Sequence, residues 1–414
     1  MNRFAVSALC LAAALTTAVR AQTNAAPKRP APQAVARFAS GRSALGVPFE
    51  LSNNLVLIRA RVNGSAPLWF IFDTGASATV IDAKAARRLR LRARGSVTGN
   101  GAAGEATAAR LGAASITLGG ASVDNLTLYA LPLDSFAAAF GRNVGGIVGN
   151  DVTGKFVVEI DYANRVVNFH EPASYDYRGA GSVVPVTVED DGLIFARGEV
   201  AVAGRAPLAC KFEIDTGSTG ALLLNTPFVR AHDLLSSVTR TKGINIGGVG
   251  GTGSALLGRV GAVRIAGFTL RDAVARFSQA TKGDYASAKY DALLGGEVFR
   301  RFKLIVDLSR RRLIFEPNAD FNAPFEADMS GIELVGDGAH FSTYLIDDVD
   351  EGSAAYAAGV RGGDVLAAID GRPAPSFTLD QIRAMFRLEG REYSLTLRRG
   401  GKTVRARMRL RRVI

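Results

Sequence analysis

The chain has 414 residues, of which 48% are hydrophobic and 46 are glycine, and it carries a formal net charge of +12. This composition excludes a disordered or collagen-like protein, and only two cysteines exclude a disulfide-stapled one. The positive charge comes with no recognisable nucleic-acid module, so no nucleic-acid partner is expected.

Asn2 and Arg3 open the chain, and a mostly apolar run from Phe4 to Val19 follows. A run of roughly sixteen residues is short for a membrane span, and Val19-Arg20-Ala21 suits cleavage before Gln22. Residues 1–21 therefore read as a signal peptide of an exported protein, periplasmic or secreted. No transmembrane segment is expected after its removal. Cys10 leaves with the signal, so Cys210 has no partner and stability must come from the core. Residues 22–45 are rich in Ala and Pro and read as a linker.

Two parallel halves follow, 46–175 and 176–318. Each has a strand pair about a turn: Val56–Val62, Asn63-Gly64 and Trp69–Asp73 in the first, Arg197–Val202, Ala203-Gly204 and Ala209–Asp215 in the second. Each then has a glycine-rich stretch, an apolar pair followed by glycine (Ile147-Val148-Gly149; Leu293-Leu294-Gly295), and a closing hairpin. Ile147 lies 74 residues after Asp73, and Leu293 lies 78 after Asp215. The same features in the same order describe a two-fold internal repeat. A third unit, 324–414, alternates strands with two short helices. One of these spans Thr378–Arg387, with Thr378 and Gln381 spaced as a capping box. At its end Arg405, Arg407, Arg409 and Arg411 alternate with apolar residues, as in a strand with one solvated face.

Phe70-Ile71-Phe72-Asp73-Thr74-Gly75 and Phe212-Glu213-Ile214-Asp215-Thr216-Gly217 carry the chemistry. A carboxylate brought to the end of a buried strand is costly unless something shares its proton. Two such carboxylates facing each other hold one proton between them, which gives a general base for water beside an acid for a carbonyl. The threonine hydroxyls can fix the loops, and the glycines let a backbone N–H approach the carboxylate. The glycine-rich stretches, Gly99, Gly101 and Gly104 in one half and Gly248, Gly250 and Gly253 in the other, fit G-x-G-x-x-G. Neither opens a helix, so no dinucleotide is expected. They read as hairpin tips that close over an extended substrate. No metal or other cofactor is expected either, because His170, His232 and His340 are scattered. Cys210 reads as a small packing residue.

These twin segments resemble the pepsin and retropepsin class of aspartic peptidases over roughly Val47–Pro317. The resemblance implies a mainly β, bilobal, pseudo-twofold acid-protease β-barrel fold with catalytic Asp73 and Asp215. It also implies loop support from Thr74, Gly75, Thr216, Gly217 and Ser218. Ala76 stands where Ser218 stands in the other half, which leaves the division of labour between the aspartates open. The third unit resembles a bacterial PDZ domain, a small α+β fold, on Ser353-Ala354-Ala355, Ala358–Leu366 and Ile369-Asp370-Gly371. That resemblance implies a groove between the strand after Ser330-Gly331-Ile332 and the helix Thr378–Arg387, where loop N–H groups would hold a peptide C-terminus. The expected partners are a protein or peptide substrate and a peptide end at the PDZ unit, and the expected state is a monomer. A non-catalytic peptide-binding scaffold and a dimer that pairs like lobes between chains are the competing readings.

Overall fold

A computed structural model describes residues 33–338 and 340–414. The expected signal peptide lies outside the described residues. The molecule is mainly β, as the short Val-, Ile- and Leu-rich runs predict.

The two halves repeat each other strand by strand. In the first, Leu55–Val62 pairs antiparallel with Leu68–Phe72, which pairs parallel with Gly146–Val148. In the second, Ile194–Ala201 pairs antiparallel with Leu208–Ile214, which pairs parallel with Ala292–Leu294. These inner strands have neighbours on both sides and are buried on both faces, so Phe70, Ile71 and Phe72 form a continuous apolar run. Each half also has a long hairpin, Ala93–Gly101 with Gly104–Leu118 and Lys242–Gly248 with Gly251–Ile265.

The lobes are joined by a shared antiparallel sheet. Its strands run in the order Ser182–Val188, Arg312–Pro317, Phe302–Asp307, Val157–Asp161, Val166–His170 and Ser43–Ser52. The pseudo-twofold axis falls between the two middle strands, where Val158 faces Val306 and Ile160 faces Leu304. Buried residues of both lobes merge into one core over this sheet, with Phe156, Phe169 and Phe302 among them.

The expected linker ends earlier than its composition suggests. Val35–Phe38 is a strand paired with Ala121–Asp124, and Ser43 already opens the next one. Phe38 packs edge-on against Phe156 with ring centroids 5.4 Å apart, and Arg37 pairs with Asp124 at 2.9 Å. One aromatic anchor and one ion pair hold a segment that is otherwise alanine-rich.

The third unit has its own core and its own sheet, ordered Ile332–Asp337, Thr343–Val349, Val365–Ile369, Glu392–Arg399, Lys402–Arg409. The capping box at Thr378 is formed in both directions and opens the helix Leu379–Met385. Arg405, Arg407 and Arg409 are exposed on the last strand while Ala406 and Met408 are buried. The segment leading into this unit is clamped by Arg301, which is wholly buried under the second lobe. Its guanidinium donates to the carbonyls of Asp320 at 3.2 Å, Phe321 at 3.4 Å and Pro324 at 3.3 Å, and also to that of Ala323. No helix among the described residues is long and apolar enough to cross a membrane.

Candidate active site

Asp73 and Asp215 each stand one residue beyond the end of an inner strand, and neither has any solvent exposure. The apolar-apolar-glycine segments lie directly behind them. Asp73 N donates to Val148 O and Asp215 N to Leu294 O, both at 3.0 Å. On the other side of each loop, Asn150 N donates to Ala76 O at 2.8 Å and Gly296 N to Ser218 O at 2.7 Å. Each aspartate is thus held at both ends of a tight loop by backbone bonds from its own lobe.

The threonines tie the two loops together. Thr74 N donates to Thr216 Oγ1 and Thr216 N donates to Thr74 Oγ1, both at 3.0 Å. Each hydroxyl then donates onward into the opposite lobe, Thr74 to Ile214 O at 2.6 Å and Thr216 to Phe72 O at 2.8 Å. Four bonds, all buried, cross the pseudo-twofold axis without one unsatisfied partner.

Gly75 N donates to Asp73 Oδ1 at 2.8 Å, and Gly217 N donates to Asp215 Oδ1 at 2.7 Å. The glycines are required sterically as well. A Cβ on Gly75 would stand 2.5 Å from the Asp215 carboxyl carbon, and one on Gly217 would stand 2.3 Å from that of Asp73. Among the described residues, no N–H or hydroxyl group donates to the Oδ2 atom of either aspartate. Burial pushes the Asp73 carboxyl well above its usual range, and the charge of Asp215 adds to that shift. Burial raises Asp215 less far, because Asp73 and the N–H groups of Gly217, Ser218 and Gly75 favour its charged form. The pair therefore titrates as a unit with one proton.

The hairpin tips close over this centre and touch each other. Ala103 N donates to Val249 O at 3.1 Å, and a Cβ on Gly250 would meet Gly104 O at 1.9 Å. Each tip packs into the other lobe: Val249 joins Ile71 and Ala76 of the first, while Ala102 and Ala103 join Phe195, Leu293 and Tyr290 of the second. Of the glycines expected there, Gly101, Gly104 and Gly250 lie in this contact. Gly99, Gly248 and Gly253 lie in the ladders behind it, opposite Ala106, Gly251 and Ile246.

Ser330, Gly331 and Ile332 form the expected loop at the head of the strand Ile332–Asp337, but its donors are already taken. Ser330 N, Ser330 Oγ and Gly331 N all converge on Asp328 Oδ1 at 2.7–2.9 Å, and Ile332 N donates to Ser330 Oγ at 3.0 Å. The Asp328 carboxylate thus takes up N–H groups that the resemblance assigns to a peptide C-terminus. The far end of the same strand meets the first lobe, where a Cβ on Gly336 would stand 2.6 Å from Gly141 Cα, just beyond the helix Asp134–Phe140.

Sequence reasoning did not find the braces behind the loops. Asn150 Nδ2 donates to Thr74 O at 2.7 Å and Gly192 O at 2.8 Å, and Asn54 Nδ2 donates to Thr219 O at 2.8 Å and Glu297 Oε2 at 2.6 Å. The available signal was a polar residue soon after each apolar-apolar-glycine segment. Cys210 is buried as expected, and burial raises its thiol out of the reactive range.

Such twinned loops on a bilobal β scaffold define an aspartic-protease type of site. Residues 58–152 match the aspartyl protease family model and residues 345–399 match the PDZ domain model, so the chain carries an aspartyl protease domain and a PDZ domain. The second lobe lies outside the first match, yet it repeats the first lobe's pairings around Asp215. Among solved structures, the chain is similar to the aspartic proteinase from Irpex lacteus, with 12% identity over 68% of this chain and 98% of that one and a TM-score of 0.43. No curated protein matches the chain.

Proposed function

We propose that this protein is an exported aspartic endopeptidase, acting as a single chain that supplies both aspartates. The observation that carries the reading is the reciprocal one: two buried carboxylates, each fixed by its own glycine N–H, on loops cross-tied by two threonines. Such an arrangement stores a proton in a dry site and holds both oxygens in place before substrate arrives.

Asp215 has the larger set of N–H donors and keeps the negative charge; Asp73 holds the proton. Asp215 takes a proton from water as the oxygen adds to the scissile carbonyl carbon, and Asp73 gives its proton to the carbonyl oxygen. In the second step Asp215 returns the proton to the leaving nitrogen, the C–N bond breaks, and Asp73 recovers a proton from the tetrahedral diol. The hairpin tips must part to admit an extended chain. The PDZ domain is the candidate site for a peptide end, reached once Asp328 yields the loop donors. Export rests on the apolar run Phe4–Val19, and N-terminal sequencing of the protein recovered outside the cytoplasm checks it.

The test is digestion of a denatured protein mixture across acidic to neutral pH, with and without pepstatin. Pepstatin-sensitive cleavage is expected; a pure, folded protein that cleaves nothing at any pH would leave the scaffold reading in its place.

A further inference from the structure

The two lobes present unlike surfaces beside the dyad. Ile71 and Glu213 occupy equivalent positions, each two residues before its aspartate. Residues i and i+2 of a strand share a face, so each side chain lies on the same side as the carboxylate that follows it, about 7 Å along the strand. The register confirms which face this is. Ile71 is paired with Leu57 and Ile147, and all three belong to the apolar cluster that receives the Val249 tip. Glu213 is paired with Phe195 and Leu293, which belong to the cluster that receives Ala102 and Ala103. A chain reaching the dyad must slide between each tip and these faces.

Glu213 is 1% exposed, and neither of its carboxylate oxygens accepts a well-formed hydrogen bond. Tyr290 lies beside it, also buried, with a hydroxyl that approaches the carboxyl without a bond of good geometry. Around them stand Asp284, Asp191 and Glu189, against the two ammonium groups of Lys289 and Lys211. Lys289 is already bonded to Glu189 and Asp191, and Lys211 to Glu189. Glu213 and Asp284 have no ion pair of their own in this set. An unpaired carboxyl buried beneath a hairpin tip is unstable in its charged form, and a cation brought by the ligand relieves it.

We infer that Glu213 is a specificity-determining residue, and that the second lobe accepts a lysine or arginine side chain of the substrate directly beside the scissile bond while the first lobe accepts an apolar one. This rests on the peptidase reading above and adds the substrate class to it. Tyr290 completes the pocket by offering its hydroxyl to the Glu213 carboxylate, which fixes the acceptor for the incoming cation.

The experiment is cleavage-site profiling of the full-length protein on a proteome-derived peptide library, followed by kinetics on matched peptides with Lys, Arg, Gln or Leu at the selected position. Wild type is expected to enrich Lys and Arg on one side of the scissile bond only. Glu213→Gln, which keeps shape and removes charge, should lower kcat/KM on the Lys peptide on the order of 30-fold or more and raise it on the Leu peptide. Glu213→Ile, which copies the first lobe, should move the preference to aliphatic residues. Wild-type cleavage with no basic preference, or a basic preference that survives Glu213→Gln, overturns the inference and leaves the peptidase reading intact. No cleavage of any peptide by wild type takes both down. Profiling at neutral pH also separates a charge effect from simple pocket size, because the Gln peptide should behave like Leu and unlike Lys.

Discussion

The two lobes agree where the chemistry needs two of everything and differ where it does not. The loops at Asp73 and Asp215, their threonines, their glycines and the segments behind them match feature by feature, down to backbone bonds of 3.0 Å from Asp73 N to Val148 O and from Asp215 N to Leu294 O. Three positions break the pattern. Ile71 lies under one hairpin tip where Glu213 lies under the other, and Ala76 answers Ser218. The helix Asp134–Phe140 of the first lobe corresponds to a single 3₁₀ turn, Asp284–Ala286, in the second. That helix leads to Gly141 and the PDZ domain, whereas the turn meets the hairpin tip through the bond from Tyr285 N to Ala102 O. Symmetry is kept at the dyad and given up at the strand faces beneath the hairpin tips and at the contact with the PDZ domain.

The strongest way to break the comparison is at the dyad itself. Asp73→Asn and Asp215→Asn should each lower kcat by at least about a thousandfold, because either change removes the acid–base pair. Neither should lower the unfolding midpoint at pH 7, since each replaces a buried ionisable carboxyl with a neutral amide of the same shape. A variant with near-normal turnover would mean that its lobe is not part of the chemistry.

The cross-tie offers a gentler test of equivalence. Thr74→Ala and Thr216→Ala each remove one hydroxyl that both accepts and donates, and each leaves a buried N–H and a buried carbonyl without their partner. A loss of about 2–3 kcal/mol is expected in either case, with nearly equal values for the two lobes. The serine variants should recover most of it. Unequal losses, measured by denaturant unfolding, would show that one lobe carries the junction.

Much of this was legible in the sequence, for a physical reason. A carboxylate at the end of an apolar strand, repeated in a repeated context, has few explanations other than a shared proton, and strand periodicity located the hairpins around it. The features that escaped lack a local pattern. Val35–Phe38 sits in an alanine-rich stretch and is held as a strand by Phe38 against Phe156 and Arg37 against Asp124, both distant in sequence. Arg301, which follows another arginine in the sequence, is wholly buried, held by the carbonyls of the segment that leads to the PDZ domain. Asp328 looks like an ordinary turn residue, and its capture of three donors is visible only in three dimensions. Glu213 stands in plain view inside the motif; its surroundings depend on the register that pairs it with Phe195 and Leu293 beneath a hairpin tip.

The lobes also differ in buried acid, which makes stability depend on pH. Glu213 and Asp284 of the second lobe are raised by burial, Asp284 to about 7, and the first lobe has isoleucine where Glu213 stands. In the folded protein these groups keep protons that the unfolded chain releases. Their contribution is therefore full below about pH 4 and is lost as pH rises toward 7. Glu159 acts in the opposite sense: its pKa is lowered to about 2 by His170, Tyr175 and Asn168, against the cost of burial, so its contribution is already complete by pH 5.5. Between pH 5.5 and 7.5 the unfolding midpoint should fall, and Glu213→Gln should flatten that slope more than any change at Ile71. A midpoint that rises over this interval would show that the second-lobe acids are paired in the native protein.

The smallest effect is expected at the PDZ domain, where the first lobe's extra helix has its consequence. The strand Ile332–Asp337 is confined at its far end by Gly141, and at its near end Asp328 holds the Ser330 and Gly331 N–H groups. A peptide C-terminus must compete with a carboxylate that is already in place and tethered two residues away. Tethering makes that competitor effectively concentrated, so binding to the intact protein should be weak. Asp328→Ala frees the donors while leaving the strand and the helix Leu379–Met385 unchanged. Affinity for a fluorescent apolar peptide, followed by anisotropy, should then improve a few-fold, and only when the peptide carries a free carboxylate. Gly141 still limits how many residues can lie along the strand, so lengthening the peptide beyond about four residues should add nothing, given a rise of about 3.4 Å per residue. An amidated peptide that gains as much as the free acid would mean that Asp328 shapes the loop without occupying the anion site. A longer peptide that binds better would mean that the contact between the first lobe and the PDZ domain opens in solution.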